Sequence, residues 1–367
     1  MTTRYLGIVI PKNDYDKMLN PDKDTAVMFS IFEQTAKRIG ITPCYFKLFQ
    51  VKPNQDTIDA YVLGEDGYFL MNVPSPKVIY TRVLDYLPSS KKHIRSLQES
   101  GIKVFNVPNY DVEKYTIHQI LYRDPSLRPY LPHTELLTPE TLLMMMQKYD
   151  KLFLKPNYGE CGRGAMKLEK SRDGWVLSYK IKGSIVLKKR FFKHTPSKII
   201  FSRMEKTQYL IQEYIPLAKY YNKPFDMRVA AQKDEHGIFQ VSAIMCKVAG
   251  SDDYLTNGAH GGKTYRLAEI AEVTNPSIPY EVLESKITSF GIYIAEYMNT
   301  VYPHIADLGF DIGVTKKGKP YFVECNFISD YVGGLIKNGE ILHKDFLPIF
   351  STPIEYAGYL FTKYDLT

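Results

Sequence analysis

Short apolar strands alternate with helices over residues 1–109 of the chain. Each apolar run is short enough for a buried strand, and Gly40 and Gly101 follow the two helical stretches. The predicted elements are a strand near 5–10, a helix near 25–39, strands near 42–49 and 77–82, a helix near 89–100 and a strand near 101–108. Strands that alternate with helices in this way form parallel βαβ units. Residues 1–109 are therefore predicted to form an α/β domain.

The pattern changes after residue 109. Ile117, Ile120 and Leu121 lie on one side of a predicted helix over 111–121, and a second helix begins after Thr138. The further predicted elements are strands between 151 and 250, a helix near 281–299, a β-hairpin over 309–326 and an aromatic tail over 340–367 that packs on the body of the protein. We expect two α+β units here, 110–205 and 206–367.

Composition limits the class of protein. The 367 residues suffice for two or three domains, and 44% hydrophobic and 24% charged residues are typical of a soluble globular protein. No apolar run reaches the roughly 18 residues of a membrane span, and we expect no signal peptide. The four cysteines are scattered, with no CxxC pair and no histidine cluster beside them. This argues against a zinc site or a disulfide framework and predicts a cytoplasmic protein.

The net charge of +7 leaves the partner open. Such an excess would suit acidic substrates, a nucleotide, nucleic acid or an anionic surface. The alternative is that lysine and arginine are spread over the solvated surface. No segment interleaves aromatic and basic residues as a nucleic-acid-binding module does, so we expect no nucleic-acid partner.

The predicted hairpin over 309–326 carries the strongest chemical signal. If Lys317-Gly318 forms a two-residue turn, Asp311 lies directly opposite Glu324 on one face, with Cβ atoms roughly 5 Å apart. Asn326 lies on that face too, because side chains alternate along a strand. Two opposed carboxylates repel each other, and Mg²⁺ bound by Asp311, Glu324 and Asn326 would compensate their charge and leave room for phosphate oxygens. The alternative is a solvated hairpin whose charges face outward.

A lysine followed by a glycine-rich loop forms the second candidate site. An apolar strand leads to Lys155, and Gly159, Gly162, Arg163 and Gly164 follow before the next strand. Glycines let backbone N–H groups approach an anion closely, and the lysine adds a positive charge. The lysine precedes the glycines and no helix follows, so the segment is not the loop of P-loop enzymes. A simple glycine-rich β-turn is the alternative.

Three further segments are candidates for nucleotide or phosphate contacts. The strand that ends at 212–215 could line an adenine slot or could be an edge strand. Asp226 and Arg228 share one face of a later strand. Arg228 could stabilise a transferring phosphoryl group, while Asp226 could hold a ribose or orient Arg228; a cross-strand salt bridge is the alternative. The turn over 256–263, which contains Asn257, could bind an anionic intermediate.

These segments, in this order, resemble the ATP-grasp superfamily, and within it the YheC/YheD group of proteins associated with the coat of bacterial endospores. The segments that carry the resemblance are 80–82, 113–114 with 118–119, 225–228, 257–262, and Asp311 with Glu324, Cys325 and Asn326. The resemblance covers about residues 110–330, and the preceding α/β unit suits the usual N-terminal domain. It implies an ATP-grasp fold of the α/β (α+β) class, with the nucleotide site between two α+β subdomains.

The resemblance also implies a role for each matching residue. The lysines that contact ATP phosphates correspond to Lys114 and Lys155. The mobile loop that closes over the phosphates corresponds to Gly159, Gly162, Arg163 and Gly164. The remaining nucleotide contacts correspond to Gln212, Glu213, Tyr214, Ile215 and Asp226. The magnesium ligands correspond to Asp311, Glu324 and Asn326, and the catalytic residues to Arg228, Lys155 and Asn257.

The implied activity is that of an ATP- and Mg²⁺-dependent carboxylate–amine ligase. The carboxylate attacks the γ-phosphate to give an acyl phosphate and ADP, and an amine then displaces phosphate to form an amide. We expect small-molecule or peptide substrates, such as an amino acid or an acidic peptide or protein tail. The alternatives are a non-catalytic nucleotide-binding protein of the spore coat and an ATP-grasp kinase. Lys247 stands where we expect an arginine, so a single charge replaces a bidentate fork.

Overall fold

The computed structural model describes residues 3–83, 87–106, 113–159, 162–181, 187–193, 196–250, 262–328 and 331–366. Within these ranges three large β-sheets follow one another along the sequence, with helices packed on them. Asn257, one of the predicted catalytic residues, lies outside the described residues. So do Glu160 and Cys161 of the glycine-rich loop.

The first sheet is an α/β unit. Its strands are β1 (Tyr5–Val9), β2 (Thr42–Phe46), β3 (Thr57–Gly64), β4 (Gly67–Pro74), β5 (Val78–Thr81) and β6 (Lys103–Phe105), and its helices are α1 (Lys12–Asp16), α2 (Lys23–Arg38) and α3 (Pro88–Glu99). The strand order is β4-β3-β2-β1-β5-β6, and β1, β2, β5 and β6 are parallel, as predicted. The antiparallel hairpin β3–β4 is absent from the sequence prediction.

The second sheet follows α4 (Lys114–Tyr122). Its strands are β7 (Thr134–Leu136), β8 (Lys151–Pro156), β9 (Met166–Ser171), β10 (Gly174–Lys180), β11 (Leu187–Phe192) and β12 (Tyr209–Glu213), and its helices are α5 (Pro139–Lys148) and α6 (Lys198–Met204). Thr138 caps α5, as predicted, because its side chain accepts a hydrogen bond from the Thr141 amide. The strand order β11-β10-β9-β8-β12-β7 places β12 between two neighbours, so the edge-strand alternative for this segment is wrong. One face of the sheet packs on α5 and α6 and forms a separate core.

The third sheet carries the predicted hairpin. Its strands are β13 (Lys219–Tyr220), β14 (Lys223–Lys233), β15 (Phe239–Val248), β16 (Lys263–Arg266), β17 (Asp307–Val314) and β18 (Pro320–Asn326), and its helices are α7 (Leu267–Thr274) and α8 (Tyr280–Val301). The order is β16-β15-β14-β17-β18, and β13 pairs with β14. The helix predicted near 281–299 is α8, and it buries Leu283, Ile287, Phe290, Ile294 and Met298, which recur at helical spacing, against this sheet.

The last described segment joins the first and third sheets. It contains α9 (Val332–Leu335), β19 (Ile336–Lys337), β20 (Glu340–Ile341) and α10 (Pro348–Lys363). Helix α10 packs on α2 and β5 of the first sheet and on β14 and β15 of the third, so the tail packs on the body as predicted. Among the helices in the described ranges, each is too short or too polar to span a bilayer.

Candidate functional site

The β17–β18 hairpin places Asp311 directly opposite Glu324, as the sequence predicts. The connection differs from the predicted two-residue turn, because residues 316–318 form a three-residue loop between the paired ends. A bulge at Val323 then shifts the register by one residue and restores the predicted pair. The longer loop and the bulge shift the register by one residue in opposite directions, so the two shifts cancel and the two carboxylates share one face of the hairpin.

Asp311 lies at the centre of a buried charge cluster on the third sheet. Arg228, which is opposite Asp311 on β14, donates from Nε to Oδ1 at 2.6 Å and from Nη2 to Oδ2 at 3.3 Å. Lys247 donates to the same Oδ1 at 3.0 Å and pairs with Asp226, its cross-strand neighbour, at 3.3 Å. Burial alone would raise the pKa of Asp311, but the charges and hydrogen bonds of Arg228 and Lys247 outweigh burial and hold that pKa below its ordinary value. Asp311 is therefore ionised at neutral pH.

Two lysines, one from α4 and one from the second sheet, contact strand β18 beside this cluster. Lys114, at the start of α4, lies 3.2 Å from Glu324 Oε1 and also donates to the Gly159 carbonyl. Lys155, on β8, donates to the carbonyl of the bulged Val323 at 3.0 Å. Burial lowers the pKa of Lys155 to about 8, against the opposing effect of the Glu324 carboxylate. The two lysines with predicted phosphate contacts thus meet β18, the strand that bears Glu324 and Asn326, two of the three predicted magnesium ligands.

The glycine-rich segment connects β8 to β9. Gly159, Gly162 and Gly164 have positive φ angles of 105°, 66° and 82°, a region that other residues rarely adopt. The Tyr209 hydroxyl donates to the Gly164 carbonyl at 3.0 Å and fixes the end of the loop, while Arg163 is exposed. The backbone of this loop therefore depends on glycine.

The predicted adenine segment, 212–215, follows directly from β12. Gln212 is buried and donates to the Thr134 hydroxyl at 2.7 Å. Glu213 lies opposite Leu152 at the start of β8, three residues from Lys155 along that strand, or roughly 10 Å. The segment and Lys155 therefore lie on neighbouring strands at a separation that suits the two ends of a nucleotide.

Asn326 completes the predicted magnesium set. It lies opposite Gly309, and its amide nitrogen donates to the Gly309 carbonyl at 3.3 Å, which leaves Oδ1 as an acceptor. Asp311, Glu324 and Asn326 therefore offer two carboxylates and an amide oxygen, the hard donors that suit Mg²⁺. No group of three or more His, Cys, Asp or Glu side chains in the described ranges could hold a metal, so a magnesium ion here would need phosphate oxygens or water as further ligands.

Two features of the site are missing from the sequence prediction. Lys247 enters that prediction only as a departure from arginine, whereas its ammonium bridges Asp226 and Asp311 in the structure. Glu113 accepts hydrogen bonds from Tyr158 and, at 2.7 Å, from Asn157, which ties the start of α4 to the base of the glycine-rich loop. The first feature depends on the pairing register of β14 and β15, which the sequence does not specify. Glu113 belongs to the segment 113–114 that carries the family resemblance, but the resemblance assigns it no role.

Comparison with known proteins identifies the family. A family model described as YheC/D-like ATP-grasp matches residues 101–360. The chain belongs to this family. Among curated proteins, the endospore coat-associated protein YheD of Bacillus subtilis (strain 168) is 27% identical over 355 residues, which cover 94% of this chain and 76% of YheD.

Solved structures share the fold. The ATP-grasp ligase PsnB, in complex with its minimal precursor, Mg and ADP, has a TM-score of 0.53 at 14% identity, with 99% of each chain covered. The macrocyclase MdnC from Microcystis aeruginosa MRC, bound with the precursor peptide MdnA, has a TM-score of 0.50 at 14% identity, with 96% of this chain and 99% of MdnC covered. At this identity the likeness shows the fold alone, and the predicted ATP-grasp fold is confirmed.

Proposed function

We propose that this protein is an ATP- and Mg²⁺-dependent ligase that joins a carboxylate to an amine through an acyl phosphate. The observation that carries the proposal is the convergence of Lys114 and Lys155 on the strand of Glu324, beside the Asp311–Arg228 pair. Cations that gather around two carboxylates suit a triphosphate and its metal. Membership of an ATP-grasp family and the fold shared with the ligase PsnB support the same activity.

The predicted ligands would hold the metal and the nucleotide as follows. Asp311, Glu324 and Asn326 would bind Mg²⁺, which, when bound, neutralises charge on the phosphate oxygens. Lys114 and Lys155 would exchange their present acceptors for phosphate oxygens. Such a polyanion would offset the burial that lowers the pKa of Lys155 to about 8 and keep its ammonium charged.

The chain's own residues would then position the reaction. The substrate carboxylate attacks the γ-phosphorus, the bond to the β–γ bridging oxygen breaks, and ADP leaves. Arg228, held in plane by both oxygens of Asp311, would stabilise charge on the transferring phosphoryl group, and Asn257 would contact the acyl phosphate. The amine nitrogen next attacks the acyl carbon, phosphate leaves, and the nitrogen loses a proton. Positioning and electrostatics supply the rate without a protein nucleophile.

ADP release from Mg-ATP tests the proposal. The purified protein is screened against amino acids, short acidic peptides and pairs of them, with mass spectrometry of the products. Glu324→Gln should lower the rate at least about a hundredfold, because it removes a ligand charge. Glu272→Gln, the same change at an exposed position of α7, should leave the rate unaltered.

The outcomes separate the alternatives. ADP release that requires both a carboxylate and an amine, with an amide product, supports the ligase. A phosphorylated end product without an amide would indicate a kinase. Folded protein that binds nucleotide but releases no ADP with any pair would contradict the ligase and favour a non-catalytic role.

The likeness to YheD favours a second proposal, association with the endospore coat. YheD is named as a coat-associated protein, and the likeness spans 94% of this chain. We expect a tagged copy expressed in a sporulating host to fractionate with the coat layers. The Asp311→Asn variant should be recovered in the same fractions if the location of the protein is independent of catalysis. Recovery of the tagged wild-type protein only outside the spore would contradict this proposal.

A further inference from the structure

The excess positive charge of the chain is concentrated in one part of the second sheet. Residues 166–193 contain nine lysines and arginines but only two acidic residues, Glu169 and Asp173, an excess of seven. The whole chain has a net charge of +7, so the remaining residues are neutral overall. The segment 166–193, which includes β9, β10 and β11, therefore has a net charge equal to that of the whole chain.

Part of this charge lines a groove between the second sheet and the β13–β14 hairpin. The groove has a volume of about 550 Å³, and we call it the basic groove after its four lysines, Lys167, Lys170, Lys189 and Lys219. Lys189 and Lys219 are exposed and form no ion pair with any described residue. Val176, Leu187 and Pro224 also line the groove, as does Tyr214 of the predicted adenine segment. Its lining thus combines unpaired positive charge with apolar surface.

A carboxylate of the chain itself already binds in the basic groove. Glu169 places one oxygen 2.6 Å from the Lys151 ammonium and the other 3.1 Å from that of Lys167. The hydrogen bond from Lys151 lowers the pKa of Glu169, although burial acts in the opposite direction. Of the four groove lysines, Lys167 therefore already pairs with a carboxylate, as does Lys170, which lies 3.1 Å from Asp150. Lys189 and Lys219 are available for others.

The basic groove opens on the face of the sheet that carries Lys155. Lys167 lies opposite both Phe153 and Ser178, and Ser178 lies opposite Lys189, so these residues share one face. Phe153 is two residues from Lys155 on β8 and points to the same side. From Lys189 to Lys155 the distance is three strand spacings and two residues along β8, which roughly five extended residues can span. A chain held in the groove could therefore reach the candidate site.

We propose that the basic groove docks an acidic segment of a polypeptide substrate and holds it beside the reaction site. The substrate role rests on the proposed ligase function, whereas docking itself requires no turnover. Lysine suits carboxylates that arrive in varied geometries, while bidentate recognition of phosphate in nucleic acids favours arginine, which the groove lacks among its lining residues. Within the described ranges β11 is an edge strand, so its backbone can pair with an extended peptide.

Fluorescence anisotropy with a labelled poly-glutamate peptide tests the docking in the absence of ATP. We expect the full chain to bind the peptide, with an affinity that falls as salt is added. K189E/K219E should weaken binding at least about tenfold, since each reversal replaces an attraction by a repulsion. K316E/K317E makes the same charge change at two exposed lysines of the β17–β18 loop and should alter binding less than about twofold.

Any one of three results would overturn the docking proposal. Equal weakening by the two double variants would mean that net charge alone attracts the peptide. A labelled oligothymidylate of matched charge that binds more tightly than the peptide, and is lost in K189E/K219E, would indicate a nucleic-acid surface. No binding of the peptide by the wild type would mean that the lysines of edge strand β11 serve only to prevent the pairing of that edge with other strands. ADP release with small substrates is measured separately from peptide binding. Failure of the docking therefore leaves the ligase proposal standing, and absence of ADP release leaves the docking proposal standing.

Discussion

Removal of the Lys247 ammonium would test the buried charge cluster directly. Lys247 is 8% exposed and lies 3.0 Å from Asp311 and 3.3 Å from Asp226. Lys247→Met keeps most of the side-chain length but leaves the buried Asp311 and the partly buried Asp226 with one cation fewer. Breaking a buried ion pair costs about 3–5 kcal/mol, and Arg228 still stabilises Asp311, so we expect the free energy of unfolding to fall by about 3 kcal/mol.

Urea denaturation over a range of pH measures this loss. Because the pKa of Asp311 is held below its ordinary value, the cluster stabilises the fold above the unfolded carboxyl pKa, about 3.9, and this contribution is lost as the pH falls towards the folded pKa. The deficit of Lys247→Met should therefore be largest near neutral pH and shrink below about pH 4. Lys337→Met, at an exposed position of β19, is the control and should change stability by less than about 0.5 kcal/mol.

A deficit below about 1 kcal/mol, or one that is constant with pH, would refute this reasoning and show that solvent screens the cluster. A second substitution tests the coupling of the carboxylates. Asp226→Asn in the Lys247→Met background removes one of the two carboxylate charges that the Lys247 ammonium neutralised, and should recover part of the loss. If its cost simply adds to that of Lys247→Met, the two residues act independently.

Three other substitutions test the fold and the site. Burial raises the pKa of Glu33 to about 7, so its contribution to stability is lost as the pH rises through that value. In urea denaturation, the free energy of unfolding of the wild type should fall by about 2 kcal/mol between about pH 5 and 8, and Glu33→Gln should remove most of this fall. Burial lowers the pKa of Lys155 to about 8 and so disfavours its charged form in the folded state. Lys155→Met should therefore raise the melting temperature near neutral pH, while calorimetry should show that the affinity for an ATP analogue is weakened at least about tenfold. A variant with both a lower melting temperature and a weaker affinity would contradict this reasoning. Gly164→Ala places a Cβ 2.9 Å from the Tyr209 hydroxyl at a φ of +82° and should cost about 1–3 kcal/mol in thermal unfolding, more than Gly159→Ala, whose Cβ would meet nothing within 4 Å.

The hairpin of the candidate site shows what the sequence could and could not predict. Side-chain alternation was sufficient to place Asp311 opposite Glu324, and the pairing is confirmed. The predicted turn is one residue too short, and the bulge at Val323 corrects the register. The carbonyl of Val323 accepts a hydrogen bond from Lys155, a residue of another sheet, so the bulge is linked to a tertiary contact that no local pattern encodes.

The same contrast holds elsewhere in the fold. Helix α8 was predictable because its apolar residues recur at helical spacing and are buried on one face. The β3–β4 hairpin also carried a signal, since Ile58, Ala60 and Val62 alternate with more exposed residues before the turn at Glu65-Asp66. Lys247 had no such signal: its position between Asp226 and Asp311 depends on the register of three strands.

Helix α10 has a consequence for the order in which the chain folds during translation. Among the described residues, the core of the second sheet draws only on those between Leu137 and Ile211, so that unit can bury its apolar side chains as soon as it has left the ribosome. One face of the first sheet cannot, because Leu6 and Phe29 share their core with Phe350 and Phe361 of α10, whereas the core on the α3 side draws on residues before Phe105. Roughly 240 residues separate Phe105 from α10, which means some ten to fifty seconds of synthesis at typical rates. During that interval the α2 side of a nascent sheet remains uncovered, and it is there that we expect a chaperone to bind.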